Sequence, residues 1–159
     1  MVVFGKERDY IIHNDEVVKG FFGPFRWLSN YHLCDIYYDE HKFPSTENAY
    51  MYSKIDPSDR KNNPYAIRLL TCSPSEAGKI GRNMPIREDW DGVRYDMMKT
   101  MLVDKFTRHQ YLKVALMETA PKYLEETNHW KDIYWGVCDG IGENNLGKAL
   151  MQIRNDFMI

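Results

Sequence analysis

The sequence predicts an α+β fold, mainly helical, in a single domain over residues 1–159, with a few short N-terminal strands and one later strand. Its 159 residues and 18.9 kDa match one ordinary globular domain. Up to Tyr38, aromatic and β-branched residues alternate with turn formers, whereas beyond Pro44 apolar residues recur at three- and four-residue steps. No internal repeat, low-complexity tract or Gly/Ser linker divides the chain.

Asp9 to His13, Phe21 to Phe25 and Leu33 to Tyr38 read as extended, with Asn14-Asp15 and Asp39-Glu40 as turns between such segments. Ser45 precedes Thr46-Glu47-Asn48, an N-cap followed by an acidic first turn, and opens a helix to about Ile55. A second helix is expected over Ser58 to Leu70, interrupted at Pro64. Ser73-Pro74-Ser75-Glu76 starts a third, because proline suits the first turn and glutamate complements the dipole. The strongest periodicity joins Trp90, Val93, Met97, Met98, Met101, Leu102 and Phe106 in one core-facing stripe. Tyr111 to Glu118 fits another helix, Ile133 to Val137 a short strand, and Gly140 and Gly142 a loop. The last helix runs from about Asn145 to Phe157, with Leu146, Leu150, Ile153 and Phe157 on one face.

Composition narrows the function classes. A content of 43% hydrophobic and 14% aromatic residues excludes a disordered segment. With 21 Lys and Arg against 23 Asp and Glu the net charge is -2, so no global basic field draws the chain to nucleic acid. A local basic face from Lys99, Lys105, Arg108 and Lys113 keeps a nucleic-acid partner open, although the same residues also suit a solvated helix surface. No apolar run reaches the ~18 residues of a membrane span, so no membrane partner is expected. Lys6-Glu7-Arg8-Asp9 interrupts any signal-peptide core, which sets the expected location as cytoplasmic. Cys34, Cys72 and Cys138 are odd in number and dispersed, and His32, Cys34 and His41 form only a loose cluster, so neither a disulfide scaffold nor a metal site is expected.

Three segments carry residues suited to chemistry. On the helix after Ser45, Glu47, Tyr50, Met51 and Lys54 fall on one stripe. A purely core-facing stripe should not hold both a carboxylate and an ammonium. Either Glu47 and Lys54 are boundary residues with solvated heads, or the stripe faces a pocket with the two charges two turns apart, roughly 10 Å by the helix rise. In the run from Glu125 to Gly136, Trp130 and Trp135 bracket Asp132. That pattern suits a site that stacks a planar ring and meets developing positive charge, and equally a surface loop with two half-buried indoles. From Gly136 to Lys148 a strand, a glycine-bearing loop and a helix start make a phosphate cradle conceivable, though neither Rossmann nor P-loop spacing is present and ordinary turn chemistry accounts for it as well. H-E-x-x-H and G-x-S-x-G motifs are absent.

The order of these pieces resembles the NADAR, or YbiA-like, family of N-glycosidases. The matching stretches are Phe22-Gly23-Pro24-Phe25, Leu28-Ser29-Asn30, Phe43 to Tyr50 and on to Lys54, Gly81-Arg82, Trp90-Asp91 with Arg94 and Met97, and Lys105-Phe106. They continue with Glu126 to Gly136, Gly142-x-Asn144-x-Leu146-Gly147, Leu150-Met151 and Arg154, so the resemblance covers about residues 21–155. Two positions depart from it: Asn48 stands where many members have His, and the segment Asn128 to Lys131 is slightly longer than in some relatives, which leaves Glu125 and Glu126 as alternatives.

The resemblance implies a compact, mainly helical α+β fold that cleaves the bond between ribose C1 and a nitrogen, with no cofactor. Its implied substrates are a small ribosylated nucleotide, such as a phosphoribosylamino-pyrimidine of riboflavin synthesis, or ADP-ribose attached to guanine in DNA. Such cleavage needs a carboxylate near C1, a proton donor near the leaving nitrogen and a stacking surface. Glu47 or Asp132, with Glu126 nearby in sequence, is then the expected carboxylate, and Lys54 is the alternative, able to attack C1 and form an imine. Trp90 and Trp135 are expected to stack the base, Asn30 to bind ribose hydroxyls or the base edge, and Arg82 with Gly136, Asn144 and the helix start at Asn145 to meet phosphate. A non-catalytic module binding ADP-ribose-like nucleotides would keep the aromatics and arginine without needing Glu47, Lys54 and Asp132 together.

Overall fold

A computed structural model describes residues 10–159. In chain order these form β1 (Ile12–His13), β2 (Val17–Lys19), β3 (Leu33–Tyr38), β4 (His41–Ser45), α1 (Thr46–Ser53), α2 (Pro64–Leu69) and α3 (Pro74–Asn83). There follow α4 (Trp90–Arg108), α5 (Gln110–Glu118), β5 (Tyr123–Glu125), β6 (Thr127–Asn128), β7 (Val137–Cys138) and α6 (Asn145–Phe157). The class is α+β. Among the described residues no helix is long and apolar enough to cross a membrane. Backbone contacts divide the chain into two compact units, residues 30–109 and residues 10–29 with 110–159.

Residues 30–109 are built around α1. The β3–β4 hairpin turns at Asp39 and Glu40, both at positive φ (50° and 64°), as a two-residue hairpin requires. It then delivers Ser45 as the N-cap of α1, whose hydroxyl accepts from the Asn48 amide N–H at 3.1 Å. Every residue of α1 is buried, because β3, β4, α2, α3 and α4 all pack against it. Asn48 fastens this helix: its side-chain amide donates to the carbonyl of Leu69 (3.0 Å), the last residue of α2, and to that of Cys72 (2.8 Å), just beyond it. Gly81 of α3 lets Met51 approach, since a Cβ there would lie 2.2 Å from its sulfur.

The expected stripe on α4 is buried at Trp90, Met98, Met101, Leu102 and Phe106, with Val93 and Met97 at its half-buried edge. Lys105 shares it at 0% exposure, so it is not part of a basic surface face, and Arg108 is paired with Asp104 at 2.8 Å. Burial lowers the Lys105 pKa from 10.5 to about 8, opposed by the nearby Cys34 on β3. The unfolded chain therefore holds this proton between about pH 8 and 10.5 where the folded chain releases it, and folding gains stability as pH rises through that window. In urea titrations, the stability difference between wild type and Lys105→Met is expected to move towards wild type by about 3 kcal/mol between pH 7.5 and 10.5. A pH-independent difference would show that Lys105 carries no buried charge.

In the other unit, Asn14 turns the chain between β1 and β2 by accepting from the Glu16 and Val17 N–H groups at 2.8 and 2.9 Å. β2 pairs antiparallel with β1 and parallel with β5, Val17 opposite Tyr123, and α6 packs on β5. Gly147 of α6 makes that packing close, because a Cβ there would lie 2.1 Å from the Leu124 carbonyl oxygen.

Four expectations change. The first strand is Ile12–His13, with Asp9 outside the described residues. Phe21 to Phe25 is not a strand: Pro24 sits in the first turn of a 3₁₀ helix over Gly23–Leu28. Pro64 starts α2 instead of interrupting a longer helix, with Asn63 as its N-cap. The expected strand Ile133 to Val137 contracts to Val137–Cys138, paired parallel with Thr127–Asn128.

Candidate functional site

Within residues 30–109 the structure gathers Asn30, Glu47, Lys54, Arg82 and Trp90. The Ser45 cap fixes the entry of α1, and the Glu47 N–H in its first turn donates to the Asn30 carbonyl at 3.1 Å. The Asn30 side-chain amide reaches the Met98 sulfur at 3.4 Å. Glu47 is 8% exposed, so its carboxylate is not a solvated boundary group. Its Oε1 and the Arg82 Nη1 border one point above Gly78 of α3, at 3.4 and 3.3 Å from where a Cβ would stand.

Lys54 caps the C-terminal end of α1, and its carbonyl accepts from the Arg87 N–H at 2.8 Å. Its ammonium lies 5.6 Å from the Trp90 ring centroid and 5.8 Å from that of Tyr50, and the two rings are 5.2 Å apart. Burial drives the Lys54 pKa below its usual 10.5, Glu47 opposes that shift, and Arg82 and Arg94 add to it. One carboxylate, one amine and two guanidinium groups thus act on one another beside an aromatic notch. Tyr50 and Arg94 complete this group. Arg94 follows Trp90 by four residues and so shares its helix face, a spacing readable in the sequence.

Glu126, Asp132, Trp135, Gly136 and Asn144 lie in the other unit. The Glu125 carboxylate accepts from the Thr127 hydroxyl at 2.5 Å and is buried, whereas the Glu126 side chain runs past Gly136. Asn128 brackets the next loop, accepting from the Trp130 and Asp132 N–H groups and donating to the Asp132 carbonyl. Asp132 Oδ1 accepts from the Trp135 N–H at 3.0 Å, closing the turn that presents a half-buried Trp135 edge-on to Tyr134. Trp130 is 50% exposed.

The expected phosphate cradle is not available. The N–H groups of Asn144, Asn145 and Leu146, which would bind an anion at the start of α6, donate to the carbonyls of Gly136, Tyr134 and Trp135. The Asn144 amide is likewise spent inside the fold, on Glu126 N–H, Leu124 carbonyl and Tyr123 hydroxyl at 2.9–3.1 Å. Gly136 serves backbone approach, since a Cβ there would meet the Glu126 carbonyl oxygen at 2.1 Å.

Known proteins repeat this chain's pattern almost end to end, and the model of the NADAR domain matches residues 14–158. The chain belongs to the NADAR family. Its NADAR domain is 35% identical over 137 residues to the N-glycosidase YbiA of Shigella flexneri serotype 5b, covering 83% of this chain and 81% of that one. It is 30% identical to a riboflavin biosynthesis protein of Vibrio vulnificus, covering 82% of this chain but 35% of that longer one. The NMR structure of E. coli YbiA superposes with a TM-score of 0.77 at 28% identity, covering 95% of this chain and 90% of the other.

Proposed function

We propose that this NADAR protein is an N-glycosidase that hydrolyses the C1–N bond between ribose and a base or aminopyrimidine. The observation that carries the reading is the buried Glu47 carboxylate grouped with the Lys54 amine, whose pKa burial lowers beside Trp90 and Tyr50. A lysine held partly dry offers the neutral amine that attacks C1. Lys54 displaces the nitrogen of the base and forms an imine with the opened ribose. Glu47 gives a proton to the departing nitrogen and then takes one from the water that releases the sugar. Arg82 and Arg94 supply positive charge suited to a phosphate on the substrate, and Trp90 walls the reacting carbon from water.

The names of the relatives, an N-glycosidase and a riboflavin biosynthesis protein, support a ribosylated substrate; the candidates proposed are a phosphoribosylamino-pyrimidine and ADP-ribose on guanine. On their sequence pattern Asp132 and Glu126 remain alternatives to Glu47 as the carboxylate near C1, and Trp135 remains a proposed stacking surface for the base; the cytoplasm is the proposed place of work. Incubating the pure protein with a panel of ribosylated bases, ADP-ribosylated guanine included, is expected to release free base detectable by chromatography. Binding of ADP-ribose with no release from any panel member would instead make the protein a nucleotide-binding module.

A further inference from the structure

Lys54 ends α1, and the carbonyls on either side of it are held by a single residue. Just after Lys54 the chain turns back: the Asp56 carboxylate caps a 3₁₀ turn over Pro57–Asp59 by accepting from the Ser58 N–H at 3.0 Å. That return brings Arg60 against the end of α1. Its Nε donates to the Ile55 carbonyl at 3.1 Å and its Nη2 to the Ser53 carbonyl at 3.4 Å. The Lys54 carbonyl between them accepts from the Arg87 N–H at 2.8 Å. The remaining nitrogen, Nη1, lies 3.3 Å from Asp39 Oδ2 in the β3–β4 turn, and the Tyr52 hydroxyl donates to the same oxygen at 2.8 Å. The guanidinium carbon is 5.3 and 5.1 Å from the ring centroids of Tyr38 and Tyr52. The Arg60 side chain is 8% exposed, a burial its charge tolerates because each of its three nitrogens has a partner.

Water commonly satisfies the last carbonyls of a helix. Here three consecutive carbonyls are restrained from elsewhere in the fold, and they centre on the residue whose amine is the proposed nucleophile. Resting on the glycosidase reading above, we infer that Arg60 is a positioning residue for Lys54: its fork pins the peptide groups flanking Lys54, Asp39 and Tyr52 hold the fork, and the amine stays aimed into the notch of Trp90 and Tyr50. The effect runs through the backbone. The charges that shift Lys54 are those of Glu47, Arg82 and Arg94, so Arg60 governs where the amine stands and not its protonation. The lysine side chain is a flexible stem, and with its backbone loose as well fewer of its conformers would meet C1. A misplacement of about 1 Å can cost a hundredfold in rate. Burial and the bond to Asp39 push the Tyr52 pKa well up, so the phenol remains a donor through the alkaline range in which Lys54 loses its proton.

The test uses Arg60→Lys, Arg60→Ala and Asp39→Asn in the full chain, with base release across pH, thermal melting and rescue by guanidinium as readouts. Lysine keeps the charge, but one ammonium in place of a planar fork does not grip both carbonyls and Asp39 together. Arg60→Lys is therefore expected to lose about tenfold in kcat, with KM within about twofold and the midpoint of the pH–rate profile unmoved. Arg60→Ala is expected to lose about a hundredfold, and guanidinium at a non-denaturing concentration should return at least about tenfold of that loss where ammonium returns none. Asparagine suits the positive φ of the turn, so Asp39→Asn keeps the carbonyl contacts of Arg60 and should lose about threefold. Wild-type kcat in Arg60→Lys and Asp39→Asn, at a temperature where both are folded, would reduce Arg60 to a cap on α1 and overturn the inference, while an inactive Lys54→Met kept the glycosidase reading. Those two variants decide the matter even where Arg60→Ala fails to fold. A shifted pH midpoint with an unchanged limiting kcat would show that Arg60 acts by charge and would equally overturn it. Absence of base release from the wild type would overturn both.

Discussion

Glu47→Gln is expected to fold with an unchanged melting temperature and to release base at least about a hundredfold more slowly, the usual scale for one acid–base group. The amide keeps the shape of the side chain and its place in the first turn of α1, where the contact that orients the helix is made by the Glu47 backbone N–H and not by the carboxylate. What it loses is the ability to carry a proton. A second effect has a definite sign. Glu47 is the group that raises the Lys54 pKa against burial and against Arg82 and Arg94. Without its charge the Lys54 pKa drops further, so amine-selective labelling at fixed pH should proceed faster in Glu47→Gln than in wild type. Slower catalysis with faster labelling is a pairing that mere loosening of the fold does not explain without a lowered melting temperature. A fully active Glu47→Gln would remove Glu47 from the reaction.

The parts of this site that were legible in the sequence are those fixed by neighbours along the chain. Ser45 with an acidic residue two positions on announced the start of α1, and helical spacing put Glu47, Tyr50 and Lys54 on one stripe. Spacing could not say whether that stripe met solvent, because the answer depends on α2, α3 and α4 closing around it. The start of α6 shows the opposite outcome. A strand, glycines and a helix N-terminus suggested an anion site, but the carbonyls of residues 134–136 fold back onto the same N–H groups, and no local pattern encodes that return. The parallel pairing of Val17 with Tyr123 was hidden for the same reason, as it joins segments from opposite ends of the chain. Lys105 is different, since it lies three residues after Leu102 and four after Met101 and so belongs to the core stripe by the very periodicity that defined α4. Treating a lysine as solvated by default concealed it.

The role of Lys54 is decided by what its replacements retain. Lys54→Met is expected to lose base release by at least about a thousandfold, because a covalent nucleophile and the water-excluding notch around it act as one unit. The methionine suits the contact with Trp90 and Tyr50, so the melting temperature should hold or rise once the half-buried charge is gone. Lys54→Arg separates charge from nucleophilicity, since a guanidinium keeps the positive charge but stays protonated at any working pH and cannot form an imine. If Lys54 attacks C1, Lys54→Arg is as inactive as Lys54→Met. In the wild type, borohydride added during turnover should then trap a ribose adduct that both variants lack. The base-release rate should climb with pH towards the lowered Lys54 pKa, because only the neutral amine attacks and its population grows until that pKa is passed. Recovery of activity in Lys54→Arg with no trapped adduct would show that the side chain serves as a cation only. Glu47 would then act directly on water at an intact glycosidic bond.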